Sequence, residues 1–376
     1  MSELASYSIQ AVFFALVAVV VVSRSKKTDL YHFALISIWL IGVIFIYARY
    51  GDGQVLFYSN DQQFHANVIR FYLPLEGLQP SGIIGLRYLL TVPVYFISLL
   101  GFNATLLIKF VQLVSLLLIY NRSKGFIESK ELHLRHWHLP LISGPILIFM
   151  SLLSLRDLVL AYFALLFMTH KNRNELSVGL IGAFLLRPHL AAALLFGYII
   201  TTVYFKWNSK FAVLKIVVLA TFSYAMGTIA YWFGALIQKG VPLTTPEAVF
   251  TQFKISQLAA NFSGLQFLGL NDPNNELVAS STTFLLLSRF VFFDTMFIPI
   301  LFLFATFRHP NFLTRYKILT IQSFLFFYGV VSQTTWNSTR QNIPFLACMG
   351  VLAVADIEHF RKIKAKVVPK LLTATR

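Results

Sequence analysis

Two interruptions in otherwise apolar sequence carry side chains suited to holding a phosphate. One contains Arg156 and Asp157, the other Arg187, Pro188 and His189. Arg49 closes an earlier apolar run and Arg340 follows a later one, each again beside polar residues. A guanidinium binds phosphate or pyrophosphate oxygens in pairs and keeps its charge at any working pH, so several around one cavity suit such an anion. Asp52, Asp61, His65 and Asp157 are the groups able to accept a proton from an attacking hydroxyl. Asp61 and His65 stand one turn apart in a stretch that reads as helical, which places them on a common face.

Each residue taken alone also has a plainer role. An arginine at a helix end snorkels to lipid headgroups, and Asp52 between two glycines suits a turn. Adjacent Arg156 and Asp157 can neutralise each other, and His65 alone suits an ordinary loop histidine. The case rests on joint occurrence, because ionisable groups near membrane depth are costly and are kept for function.

Membrane depth follows from composition. The chain is 57% hydrophobic and 12% charged, with mean hydropathy +0.70. A soluble protein carries roughly twice that charged fraction, so the surplus apolar surface needs lipid around it. In lipid every backbone polar group must be paired internally, which leaves helices or a closed barrel. Continuous runs such as AVFFALVAVVVV, without the alternation of barrel strands, select helices. The fold expected is all-α and polytopic, about eleven transmembrane helices plus one re-entrant or interfacial helix, forming a single transmembrane domain over 1–376.

The net charge of +16 is dispersed in short clusters between apolar runs. That is the pattern of cytoplasmic loops under the positive-inside rule, and no nucleic-acid partner is implied. The lone cysteine, Cys348, excludes disulfides within the chain and cysteine-ligated metal sites. No HExxH, DxD, GxSxG, EF-hand or phosphate-loop pattern occurs, and neither a metal nor another cofactor is expected.

The apolar runs fall at about 8–23, 30–48, 82–100, 104–120, 139–154, 157–169, 176–187, 190–205, 211–236, 282–306, 316–333 and 343–357. If the basic clusters are cytoplasmic, the N-terminus is outside and the C-terminus inside. The loop 49–81 is then outside and 121–138 inside, so only one crossing is allowed between them. The run 82–100, with Arg87 and Pro93, is therefore expected to be the re-entrant or interfacial helix. The 237–281 loop is the second large external segment. With this topology Arg49, Arg156, Arg187, His189 and Arg340 all meet the outer compartment, where positive charge is normally depleted.

The segment LISIWLIGVIFIYARYGDG, a span ending in Arg-Tyr-Gly before a loop aspartate, resembles the N-terminal region of EpsG/Wzy-type bacterial polysaccharide polymerases. FMSLLSLRDLVLAYFALLFMTHKNRNELSVGLIGAFLLRPHLAAALLF is similar to the same group, with its basic–acidic pair opening a helix and a later span ending in Arg-Pro. The resemblance covers roughly residues 35–200. It implies a GT-C-like membrane glycosyltransferase of the bacterial inner membrane, an O-antigen or exopolysaccharide polymerase. Such an enzyme joins oligosaccharide units carried on undecaprenyl pyrophosphate at the extracytoplasmic face, alongside other polysaccharide-assembly proteins.

Residue by residue, Arg49 and Asp52 match the Arg-Tyr-Gly element and its loop acid. Arg156 with Asp157 matches the basic–acidic pair, and Arg187 with His189 the later turn. The family's loop acid is soon followed by tyrosine, whereas Gly53-Gln54 intervenes here and Tyr58 comes later, which leaves Asp52 and Asp61 as alternatives. On this reading Arg156, Arg187 and Arg340 stabilise the leaving pyrophosphate, while Asp61, His65 or Asp157 serves as base. Two other readings compete: a GT-C glycosyltransferase using a polyprenyl-phosphate monosaccharide, and a transporter or flippase for lipid-linked glycans.

Overall fold

The structure is a computed structural model. It describes residues 2–24, 28–51, 91–135, 138–142, 144–153, 156–207, 212–239, 294, 297–309, 311–331 and 342–374. Every element among them is helical. In chain order these are α1 (Glu3–Ser23), α2 (Leu30–Tyr50), α3 (Thr91–Ser98), α4 (Ala104–Glu128), α5 (Leu139–Ile142) and α6 (Pro145–Ser151). Then follow α7 (Asp157–Met168), α8 (Arg173–Leu186), α9 (Pro188–Lys206), α10 (Ala212–Lys239), α11 (Phe297–Arg308), α12 (Thr314–Val331) and α13 (Ile343–Ala374).

Six helices among the described residues are long and apolar enough to cross a membrane: α1, α2, α4, α9, α10 and α13. Leu16, Val21, Ile41 and Phe45 are exposed on α1 and α2, while His32, Lys109, Gln112, Arg187 and Lys317 are buried. Apolar outside and polar inside is the arrangement for lipid, where water cannot satisfy an outward polar group. The protein is thus an all-helical polytopic membrane bundle. Three expected runs give shorter helices: α6, α7 and α8 have 7, 12 and 14 residues. None reaches the ~20 residues that a full span requires.

The helices fall into two compact units interleaved along the chain. Unit 1 comprises Met1–Asn121, Ser143–Tyr162 and Leu185–Arg187. Unit 2 comprises Arg122–Ile142, Phe163–Phe184 and Pro188–Arg376.

In unit 1, Asp29 caps α2 reciprocally with His32, and His32 Nε2 lies 2.8 Å from Asn121 Oδ1 on α4. Tyr120 donates to Asp29 Oδ2 at 2.7 Å, tying the start of α2 to the same part of α4. At the opposite end Tyr7 stacks on Tyr47, and the Asn103 N–H donates to Gln10 Oε1 at 2.8 Å. The start of α1, the end of α2 and the start of α4 therefore stand together. The chain leaves α2 and enters α4 at one end of the unit. The described part of the 82–100 run is α3, of 8 residues, and residues 82–90 lie outside the described residues.

In unit 2, α9, α10 and α12 pack with their backbones in close approach. A Cβ on Gly227 of α10 would collide with the Phe326 carbonyl oxygen of α12, and one on Gly329 with the Tyr224 carbonyl oxygen. Small residues at such crossings are how helices gain contact where lipid supplies no hydrophobic drive. Arg122 binds both carboxylate oxygens of Glu175 at 3.0 and 2.7 Å, and its Nε donates to Thr169 Oγ1 at 2.8 Å. That fork pins the turn between α7 and α8.

Candidate functional site

The polar centre of unit 1 is built where helices stop. Gly144 and Pro145 open α6, with proline at the first helical position where its missing N–H costs nothing. The helix ends after two turns, about 10 Å, at Ser151. The next helix, α7, begins at Asp157, and the Arg156 carbonyl accepts its first-turn bond from the Leu160 N–H at 3.2 Å. A helix start leaves N–H groups without intrahelical partners. One of them, on Leu158, donates to Gln112 Oε1 of α4 at 3.1 Å. Gln112 stands eight residues along α4 (104 to 112), about 12 Å from its start. This junction is therefore well inside the helical layer of unit 1, not at its edge.

The second break is set by Pro188. The residue before a proline avoids helical geometry, so α8 ends at Leu186 and Arg187 is freed to reach sideways. Arg187 pairs with Asp157 at 3.5 Å, and their side chains are 5% and 1% exposed. Asp157 sits in the first turn of α7 and Arg187 just past the end of α8, so each charge is at the helix end whose partial charge opposes it.

Two further polar residues are buried on α4, and one of them, Gln112, meets the start of α7. Lys109 is 1% exposed, and its Nζ donates to Tyr7 Oη at 3.4 Å. Gln112, three positions on, shares its face and is fully buried. Trp39 is also fully buried; its Nε1–H is shared between the carbonyls of Lys109 and Ser151, at 3.2 and 3.1 Å. That bond ties α2 to α4 and to the last residue of α6. Neither Lys109 nor Gln112 is among the residues singled out from the sequence of the 104–120 run. Their three-residue spacing inside an apolar span was the available signal.

The remaining expected residues are dispersed. Arg156 is half-buried on the turn before α7, and Arg49 is exposed in the last turn of α2. His189 is half-buried and stacks on Phe327 with ring centroids 5.6 Å apart. Asp52, Asp61, His65 and Arg340 lie outside the described residues, as do most of the two large loops. The Asp157 carboxylate forms a buried ion pair with Arg187, a partner that sequence neighbourhood does not reveal, because the proline break brings Arg187 in from another helix. No group of three or more His, Cys, Asp or Glu suited to a metal occurs among the described residues.

Unit 2 holds its own buried charges. Lys317 pairs with Asp356 at 2.7 Å with both side chains 1% exposed, and it also donates to the His309 carbonyl at 2.8 Å. His138 Nε2 lies 3.2 Å from Glu358 Oε1, close to Arg135 and Arg361. No protein-family model, no curated protein and no solved structure matches the chain.

Proposed function

We propose that this protein is a membrane glycosyltransferase that joins lipid-linked oligosaccharide units, with Arg187 and Asp157 at its reaction centre. The observation that carries the reading is their ion pair, buried at the meeting point of two helix breaks. A fixed guanidinium in a site screened from water is suited to charge that develops on a departing pyrophosphate. Arg156 stands next to Asp157, just before α7, and Arg49 extends the set expected to meet the outer phosphate.

In the proposed step the acceptor sugar hydroxyl gives its proton to Asp157 as its oxygen bonds the donor's anomeric carbon. The bond from that carbon to the pyrophosphate oxygen breaks, and undecaprenyl pyrophosphate leaves with its new charge on Arg187. Asp52, Asp61 and His65 are the alternative bases. The chain would act in the bacterial inner membrane, with its N-terminus outside and its C-terminus cytoplasmic, alongside other polysaccharide-assembly proteins.

The test is conversion of an undecaprenyl-pyrophosphate oligosaccharide to longer glycans by the purified protein in liposomes. Replacing Arg187 with lysine keeps a charge and removes the fork, and it is expected to slow polymerisation by about a hundredfold. Wild-type rates in that variant and in Asp157→Asn would overturn the assignment. Short helices ending near a buried polar centre also suit a transporter. In that case the liposomes would move the lipid-linked unit across the bilayer and form no new glycosidic bond.

A further inference from the structure

The side-chain amide of Gln112 faces the first turn of α7 and is used on one side only. Its orientation is fixed by the network: the Leu158 N–H requires an acceptor, so the oxygen points there and the nitrogen points away. The nitrogen, Nε2, is buried and has no hydrogen-bond partner among the described residues. Leaving an amide donor unsatisfied inside a membrane protein costs more than its hydrogen bond would return, so such a group calls for a reason. The residue that Gln112 holds, Leu158, follows Asp157 at the positive end of the α7 dipole, and Asp157 pairs with Arg187.

We infer that Gln112 is a substrate-positioning residue whose Nε2 donates to a phosphate oxygen of the polyprenyl-linked substrate, within the site proposed above. The chemistry favours an anion with spare acceptors. A phosphate oxygen accepts the amide hydrogen, and the adjacent start of α7 is the helix end that favours an anion. Gln112 thus has two jobs divided between its two ends. The oxygen holds α7 at its start, and the nitrogen reads the ligand.

The inference rests on the functional reading, and binding to protein in nanodiscs separates the two. The probe is undecaprenyl pyrophosphate without glycan, titrated against wild type, Gln112→Glu, Gln112→Leu and Arg187→Ala. Gln112→Glu keeps an oxygen for the Leu158 N–H and removes the donor; Gln112→Leu removes both. Gln112→Leu is expected to weaken binding about tenfold, the loss of one hydrogen bond to a charged group, and Gln112→Glu by more, because its carboxylate also repels the phosphate. Circular dichroism is expected to show both variants folded at the assay temperature. If both Gln112 variants bind within twofold of wild type while Arg187→Ala does not bind, the role given to Gln112 is overturned and the functional reading stands. If wild type does not bind the probe, both are overturned.

Discussion

Arg187 and Asp157 divide their importance between chemistry and stability. Removing one partner of a buried ion pair leaves an uncompensated charge, which costs about 3–5 kcal/mol. Arg187→Ala is therefore expected to lower the melting temperature in detergent markedly. Asp157→Leu combined with Arg187→Met should recover most of that loss, because two apolar residues leave no charge stranded. Polymer synthesis should stay absent in the double variant. A protein that recovers stability and activity together would show the pair to be structural. Arg156, half-buried and outside that ion pair, should tolerate alanine with less loss of stability than Arg187.

At the scale of elements, helix ends and crossings decide behaviour. Alanine at Gly227 would push a methyl group against the Phe326 carbonyl, which as backbone has no rotamer to yield. A loss of about 1–3 kcal/mol is expected, read as a lower midpoint of thermal unfolding. Acid should act at two tethers. The Arg122 hydrogen bonds hold the Glu175 carboxyl below its usual range against the opposing effect of burial. The stability they supply is complete above the unfolded carboxyl's titration and is lost as pH falls through the folded one. Wild type and Glu175→Gln should converge in stability below about pH 4.5. Burial, then the charges of Arg361 and Arg135, push His138 down from 6.5 to about 4. Its Nδ1 accepts the Arg135 N–H at 3.0 Å, which fixes the neutral form with its hydrogen on Nε2 toward Glu358. An unfolded His138 takes up a proton more readily, so stability should fall between pH 6.5 and 4. Replacing His138 with asparagine is expected to flatten that part of the pH–stability curve.

For the whole molecule, the orientation of α4 fixes the sidedness of unit 1. Its start lies with the start of α1 and its end with the start of α2. With the N-terminus outside, a cysteine replacing exposed Leu100 should react with a membrane-impermeant thiol reagent in intact cells. One replacing Ser129, past the other end of α4, should react only after permeabilisation. Buried Cys348 can stay in place. The reverse pattern would invert the membrane orientation and move the proposed chemistry to the cytoplasm.

Composition alone determined that this chain is a helical membrane protein, because burying that much apolar surface leaves no other solvent. The basic clusters and the parity of the apolar runs also led to the expectation of a single crossing between the 49–81 and 121–138 loops. Arg156, Asp157 and Arg187 were legible as unusual residues, since charge interrupting an apolar run is visible one residue at a time. Their partners were not. Pairing Asp157 with Arg187 needs two helix breaks to meet across thirty positions (157 to 187) of sequence, and no local period encodes that meeting. Hydropathy likewise read α6, α7 and α8 as spans, because it measures how apolar a run is and not where its backbone stops. Lys109 and Gln112 gained meaning only from the tertiary fold, in which α4 turns one polar face toward the start of α7 and away from lipid.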